Sequence, residues 1–153
     1  MQIVRATEAH VIELRRNLRE GDKREIWNYG LCVRTALWRS FNETLEPKAA
    51  IVEGQVAGIW GVCGTVLGYT GQPWLLTAKI AEKYPIQFAL LYRQEVRKML
   101  EIYDVLENVV DFSYKEAIKL LNLCGFTVHD PLPLGPNGEL FSRFEMRRQD
   151  DAI

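Results

Sequence analysis

Few side chains in this sequence are placed to do chemistry, and those few limit what the chemistry could be. Asp111 closes an apolar run and could act as a base beside a cleft, although a helix-capping or turn role competes for the same carboxylate. Lys79 and Lys83 lie in the connector that leads into a long helix, where they could meet a phosphate as point charges. A solvated connector is their plainer use. His10 and His129 are the only histidines. A thiol–imidazole dyad would need Cys124 and His129, which lie across a helix end, and Cys124 sits in an apolar pattern that suits a buried residue. His129-Asp130 alone is no metal site, so no metal is expected. Gly58, Gly61 and Gly64 fall inside a strand pattern with no helix directly after them. They read as bulges or close backbone packing and not as a phosphate loop.

These residues are positioned by the stretch from Trp74 to Phe126. Trp74-Leu75-Leu76-Thr77 reads as a strand, and Gly68 to Pro73 as a turn-rich link into it. Phe88, Tyr92, Val96, Met99 and Tyr103 recur at spacings of four and three, the stripe of an amphipathic helix. Gln87, Gln94, Lys98 and Glu101 fall on its wet side, and Pro85 suits its first turn. Leu106 to Asp111 reads as a buried strand. Ser113 with Glu116 forms a capping-box pattern for the next helix, which Gly125 ends. A strand–helix–strand unit leaves a cleft at the helix N-terminus, where anions bind.

Upstream, Gln2 to Ala6 is a first strand and Thr7 caps a helix through Val11, Leu14 and Leu18, broken at Gly21-Asp22. A second helical region from about Lys23 to Leu45 is split by Gly30 into two short helices. Two strands, 49–53 and 56–63, flank Gly54-Gln55 as a hairpin turn. Downstream come a strand at Phe126-Thr127-Val128, a Pro/Gly loop, and a last strand over Leu140 to Met146 before a polar, frayed end. Trp27, Trp38, Trp60 and Trp74 are assigned to the core or an interface.

The 153 residues fit a single domain, 1–153, long enough to bury a core. A net charge of −1 draws the chain to neither nucleic acid nor membrane. The basic region Arg15 to Arg24 contains Glu20 and Asp22, follows Glu13, and reads as a solvated helix face. No apolar run could cross a bilayer and no secretion signal is evident. Three distant cysteines argue for a reducing, cytoplasmic compartment.

The order of elements resembles the GNAT fold of acyl-CoA-dependent N-acetyltransferases. Ala117 and Leu120-Leu121-Asn122-Leu123-Cys124-Gly125-Phe126 are similar to that superfamily's segment ending Leu-Tyr-Glu-Lys-Leu-Gly-Phe. The resemblance implies an α/β (α+β) fold with a mixed, mostly antiparallel twisted sheet of six to seven strands and helices on both faces. Gly58 to Gly64, Trp74 to Thr77, Tyr92-Arg93, Met99-Leu100, Tyr103-Asp104, Leu106, Asn108 and Gly125-Phe126 further resemble the GNAT-like internal virion protein A family of short-tailed phages. The N-terminal half matches in pattern only. That narrower resemblance implies a role in virion morphogenesis or host interaction, a virion or host protein as partner, and a place in the host cytoplasm or the virion.

Working members of the superfamily carry a glycine-rich turn before the long helix. Its backbone N–H groups hold the CoA diphosphate. The matching stretch here, Ala78 to Pro85, holds no glycine and places Glu82 where phosphates would sit. The superfamily's frequent general acid, a tyrosine, aligns with Leu121, which cannot transfer a proton; Tyr114 at the start of the same helix is a possible substitute. If acetyl-CoA binds, the resemblance places its thioester near Leu76 and Thr77, and its diphosphate near Lys79, Lys83 and Tyr84 at the helix start. Two readings result: a binding or assembly factor with reduced chemistry, or an active acetyl-CoA-dependent N-acetyltransferase that acts on an amine.

Overall fold

A computed structural model describes residues 1–64 and 68–149. The polar end expected to fray lies outside the described residues from 150 onward. The chain forms strands β1 (Gln2–Arg5), β2 (Lys48–Val52), β3 (Gln55–Cys63), β4 (Thr70–Thr77), β5 (Val105–Asp111), β6 (Thr127–Val128) and β7 (Phe141–Arg147). Its helices are α1 (Glu8–Asn17), α2 (Glu20–Asn28), α3 (Val33–Glu43), α4 (Pro85–Ile102) and α5 (Lys115–Cys124). A 3-10 helix, Lys79–Lys83, joins β4 to α4. The strands form one mixed sheet of seven in the order β1-β2-β3-β4-β5-β7-β6. Every neighbouring pair is antiparallel except β4 and β5.

Alternation along β3 puts helices on both faces of the sheet. Trp60 packs edge-on against Phe88 and Tyr92 of α4. One residue on, Gly61 turns to the opposite face, where the end of α3 crosses so closely that a Cβ would lie 2.4 Å from Thr44 Cγ2. Gly58 is close as well, with a Cβ there 3.0 Å from the Phe88 ring. These glycines are therefore close-packing positions, as the strand pattern implies. The α4 stripe of Phe88, Tyr92, Val96, Met99 and Tyr103 is buried throughout. Each such side chain contributes roughly 1.5–3 kcal/mol of burial free energy. Thr7 caps α1 reciprocally with His10, which gives that imidazole a structural use. Gly125 closes α5 at φ 99°.

Several local expectations shift. The α1–α2 break lies at Leu18-Arg19, and Gly21-Asp22 fall inside α2. Leu18 bridges Ala78 and the Arg19 N–H bonds Thr77 O, so tertiary pairing extends the chain there. The hairpin loop is Glu53-Gly54, with φ 52° and 72°, because Val52 pairs with Gln55. β4 begins at Thr70 and not Trp74, since Pro73 occupies a position whose missing N–H faces no ladder partner. Ser113 does not cap α5: Tyr114 holds that place, and Ser113 bonds Asp111 instead. Trp27 is exposed rather than packed, at 77% of its free surface. Glu95 is buried on α4 between Lys48 and Lys98, at 3.1 and 3.0 Å.

Gly61→Ala should destabilise the fold by about 1–3 kcal/mol through overpacking. Thermal unfolding checks this, and Thr44→Ser in the same background should recover part of the loss by removing the methyl group that clashes.

Candidate functional site

The site is a consequence of how β4 and β5 meet. They pair only at Thr70 with Val105 and at Gly71 with Leu106. Beyond that point the strands part, and Asn108 fills the crotch, its Nδ2 donating to Pro73 O at 2.8 Å. A cavity of about 780 Å³ opens between them. Its walls are largely apolar, with Ile26, Leu76, Phe88, Val110, Phe141 and Phe144 among them.

Backbone parity decides what β4 offers to this cavity. Ala78 N–H bonds Ala57 O on β3, so Leu76 also faces β3, and Thr77, Leu75 and Pro73 face the opening. Of the backbone near Leu76, where a thioester is expected, the groups of Leu76 itself lie in the sheet ladder. Thr77 is engaged on the open side. Its N–H and its hydroxyl both donate to Asp22 Oδ2, at 3.0 and 2.6 Å, and its carbonyl accepts from Arg19 N–H at 3.0 Å. Between Thr77 and Pro73, only Leu75 presents backbone groups to the cavity without a partner among the described residues.

Two carboxylates, Asp22 and Glu25, stand on one wall, with Asp111 next to Glu25 outside the lining. Asp22 and Glu25 come from the face of α2 that also carries Ile26 and Tyr29. Burial pushes the Asp22 carboxyl up to about 6 against the lowering effect of the Thr77 bonds and Arg19. Glu25 Oε2 accepts from Asp111 N–H at 2.9 Å. Its pKa is pushed up to about 8, first by burial and then by the charges of Asp22 and Asp111. Asp111 itself is saturated. Its Oδ2 accepts from Asn28 Nδ2, and its Oδ1 accepts from the Ser113 N–H and hydroxyl, all at 2.8 Å. The structure thus gives Asp111 the turn role and puts Glu25 at the cavity wall in its place. The sequence held a signal for this: Asp22, Glu25, Ile26 and Tyr29 share one helical stripe, which places two acids on an apolar face.

Tyr114 is buried and lines the same cavity. Gly21 is a glycine because a Cβ there would lie 2.4 Å from its ring. Burial first, then the Asp22 charge, raise its hydroxyl pKa, so Tyr114 keeps its proton and is available as a donor. Leu121 also lines the cavity as an apolar wall. Lys79 and Lys83 are exposed on the 3-10 helix, and Tyr84 donates its hydroxyl to Glu53 Oε2 at 3.0 Å. Cys124 is buried, its thiol pushed up to about 11, and His129 pairs with Glu145. Among the described residues no group of three metal-ligating side chains exists.

The raised acids have a stability signature. A carboxyl whose folded pKa lies above its unfolded value stabilises when protonated, and that stability is lost as pH rises through the folded pKa. The Tm should therefore fall between about pH 4 and 8. Glu25→Gln should flatten the fall between about pH 5 and 8, and a parallel decline in both proteins would refute the assignment.

No family model matches the chain, and no curated protein matches it. Solved structures do. A ribosomal-protein-alanine N-acetyltransferase from Brucella melitensis superposes with TM-score 0.72 at 19% identity, over 97% of this chain and 100% of that one. A GNAT-family acetyltransferase from Streptococcus pneumoniae gives 0.66 at 13% identity, over 97% and 99%. An aminoglycoside acetyltransferase in complex with coenzyme A gives 0.66 at 15% identity, over 97% and 95%. None of these supports the narrower phage-virion resemblance, and no helix is long and apolar enough to cross a membrane. The seven-stranded mixed sheet, its helices on both faces and its parted parallel strands give this chain the GNAT fold.

Proposed function

We propose that the protein transfers an acyl group to an amine in the β4–β5 cleft, with Glu25 accepting the amine's proton. The observation that carries this reading is a carboxylate on the wall of an apolar cavity, held near a working pKa of about 8. Among the described residues only one oxygen of Glu25 has a donor, so the other is available to a ligand. Asp22 beside it adds negative charge that draws a cationic amine inward. The Leu75 N–H is the open backbone donor for a thioester carbonyl, and Tyr114 offers a hydroxyl that stays protonated. The parted strands hold the reactants together, and positioning alone supplies a large part of such a rate.

The donor suggested by the structural neighbours is acetyl-CoA, solved with one of them, while two others were solved with coenzyme A. The chain's residues fit its thioester arm, through Leu75 and the apolar walls. They do not fit its diphosphate, because the Ala78–Pro85 connector has no glycine-lined nest.

A second reading is favoured by that connector. Here the fold serves as a binding factor for a virion or host protein, with acyl chemistry reduced. It predicts no thiol release and a stoichiometric protein partner that co-purifies with the chain.

The discriminating assay is release of free thiol from acetyl-CoA at millimolar concentration with a panel of primary amines. The first reading predicts turnover that rises with pH through about 8 as Glu25 ionises. Glu25→Gln should lower the rate by roughly 10²–10⁴-fold and remove that pH limb. Turnover unaffected by this substitution would exclude Glu25 as the base.

A further inference from the structure

The turn that would have to hold a nucleotide's phosphates is closed by its own hydrogen bonds. Ala81 N–H bonds Ala78 O at 3.0 Å and Tyr84 N–H bonds Ala81 O at 3.1 Å, so the 3-10 helix spends these donors internally and no glycine opens a nest around the others. Pro85 opens α4 without an N–H, and Phe88 N–H returns to Tyr84 O. The remaining first-turn donors, Ile86 and Gln87, stand beside the exposed apolar side chain of Ile86. Glu82 adds a carboxylate at the cavity edge, and Arg19, one of the cations lining the cavity, is already paired with it at 3.1 Å. A diphosphate placed here would meet an acid and a proline where it needs converging N–H groups.

Further into the cleft the situation reverses. Among the described residues the Leu75 N–H and carbonyl have no partner on the strand edge, and the walls around them are largely apolar. An extended arm carrying amides can pair with such an edge as a short added strand.

We infer that this chain grips a thioester donor by its pantetheine-like arm and provides no seat for a nucleotide diphosphate. The inference rests on the acyl-transfer reading and narrows it to a donor class: pantetheine thioesters, whatever is attached beyond the arm. A nucleotide, a bare phosphate or a carrier is equally acceptable as the attachment, since the contacts stop at the arm.

Isothermal titration with pantetheine, CoA and adenosine 3′,5′-bisphosphate tests this. The expected result is saturable binding of pantetheine and CoA with Kd values within about threefold of each other, and none of the bisphosphate. Lys79→Ala with Lys83→Ala should leave both values unchanged. CoA binding tenfold tighter than pantetheine, or a tenfold loss of CoA affinity in the double variant, would overturn this inference and leave the acyl-transfer reading standing. Binding of none of the three would overturn both.

Discussion

Asp22 Oδ2 accepts two hydrogen bonds from Thr77, one from its backbone and one from its hydroxyl. Together with Arg19 N–H on Thr77 O, they tie the start of α2 to the open edge of β4. That edge exists because β4 and β5 pair at their first residues only. A parallel pair that parts leaves backbone donors and acceptors without ladder partners, and buried groups of this kind must find others. Asn108 supplies one at the crotch and α2 supplies the others at the rim. What is left, at Leu75, is a single residue of free strand edge inside an apolar cavity. The position of α2, the break at Leu18-Arg19 and the glycine at position 21 all follow from this attachment.

The same attachment sets the electrostatics. Anchoring α2 through a buried carboxylate carries Glu25, one turn later, to the cavity wall. Burial disfavours its charge, and Asp22 and Asp111 reinforce the effect. An isolated glutamate would be a poor base for an amine, because its affinity for the proton is too low. A glutamate raised into the neutral range is well matched to that task. The cost falls on stability above neutral pH, a trade common where groups are poised for chemistry. Asp111 is committed elsewhere, since Asn28 and Ser113 give its carboxylate three hydrogen bonds that fix the turn after β5.

Elements with strong local signals were legible from residues alone. The α4 stripe, the Thr7 cap and the Gly125 terminus each depend on contacts within a few residues, so pattern reports them faithfully. The fold followed from the order of these elements. Legibility failed where partners distant in sequence decide the outcome. Ser113 has a capping-box pattern, yet Asp111 captures it. Pro73 reads as a turn residue, yet the missing partner strand makes it acceptable in β4. Asp111 was visible as a candidate base, but its saturation could be known only once Asn28 had been placed against it. Glu25 carried no reading of its own in the sequence, and Asp22 read as part of a helix break within a basic region. Their stripe with Ile26 and Tyr29 was present in the spacing, and its meaning depended on the sheet that α2 meets. The glycine-free connector was legible outright, since no fold can restore a missing glycine's backbone freedom.

The account turns on the protonation state of one side chain. Carbon-13 NMR of the Glu25 side-chain carboxyl, assigned by comparison with Glu25→Gln and followed from pH 4 to 10, measures it directly. The account predicts a titration midpoint near 8. A midpoint in the ordinary carboxylate range, near 4 to 5, would show that Glu25 is well solvated and ionised at neutral pH, and would contradict its role as a burial-tuned base.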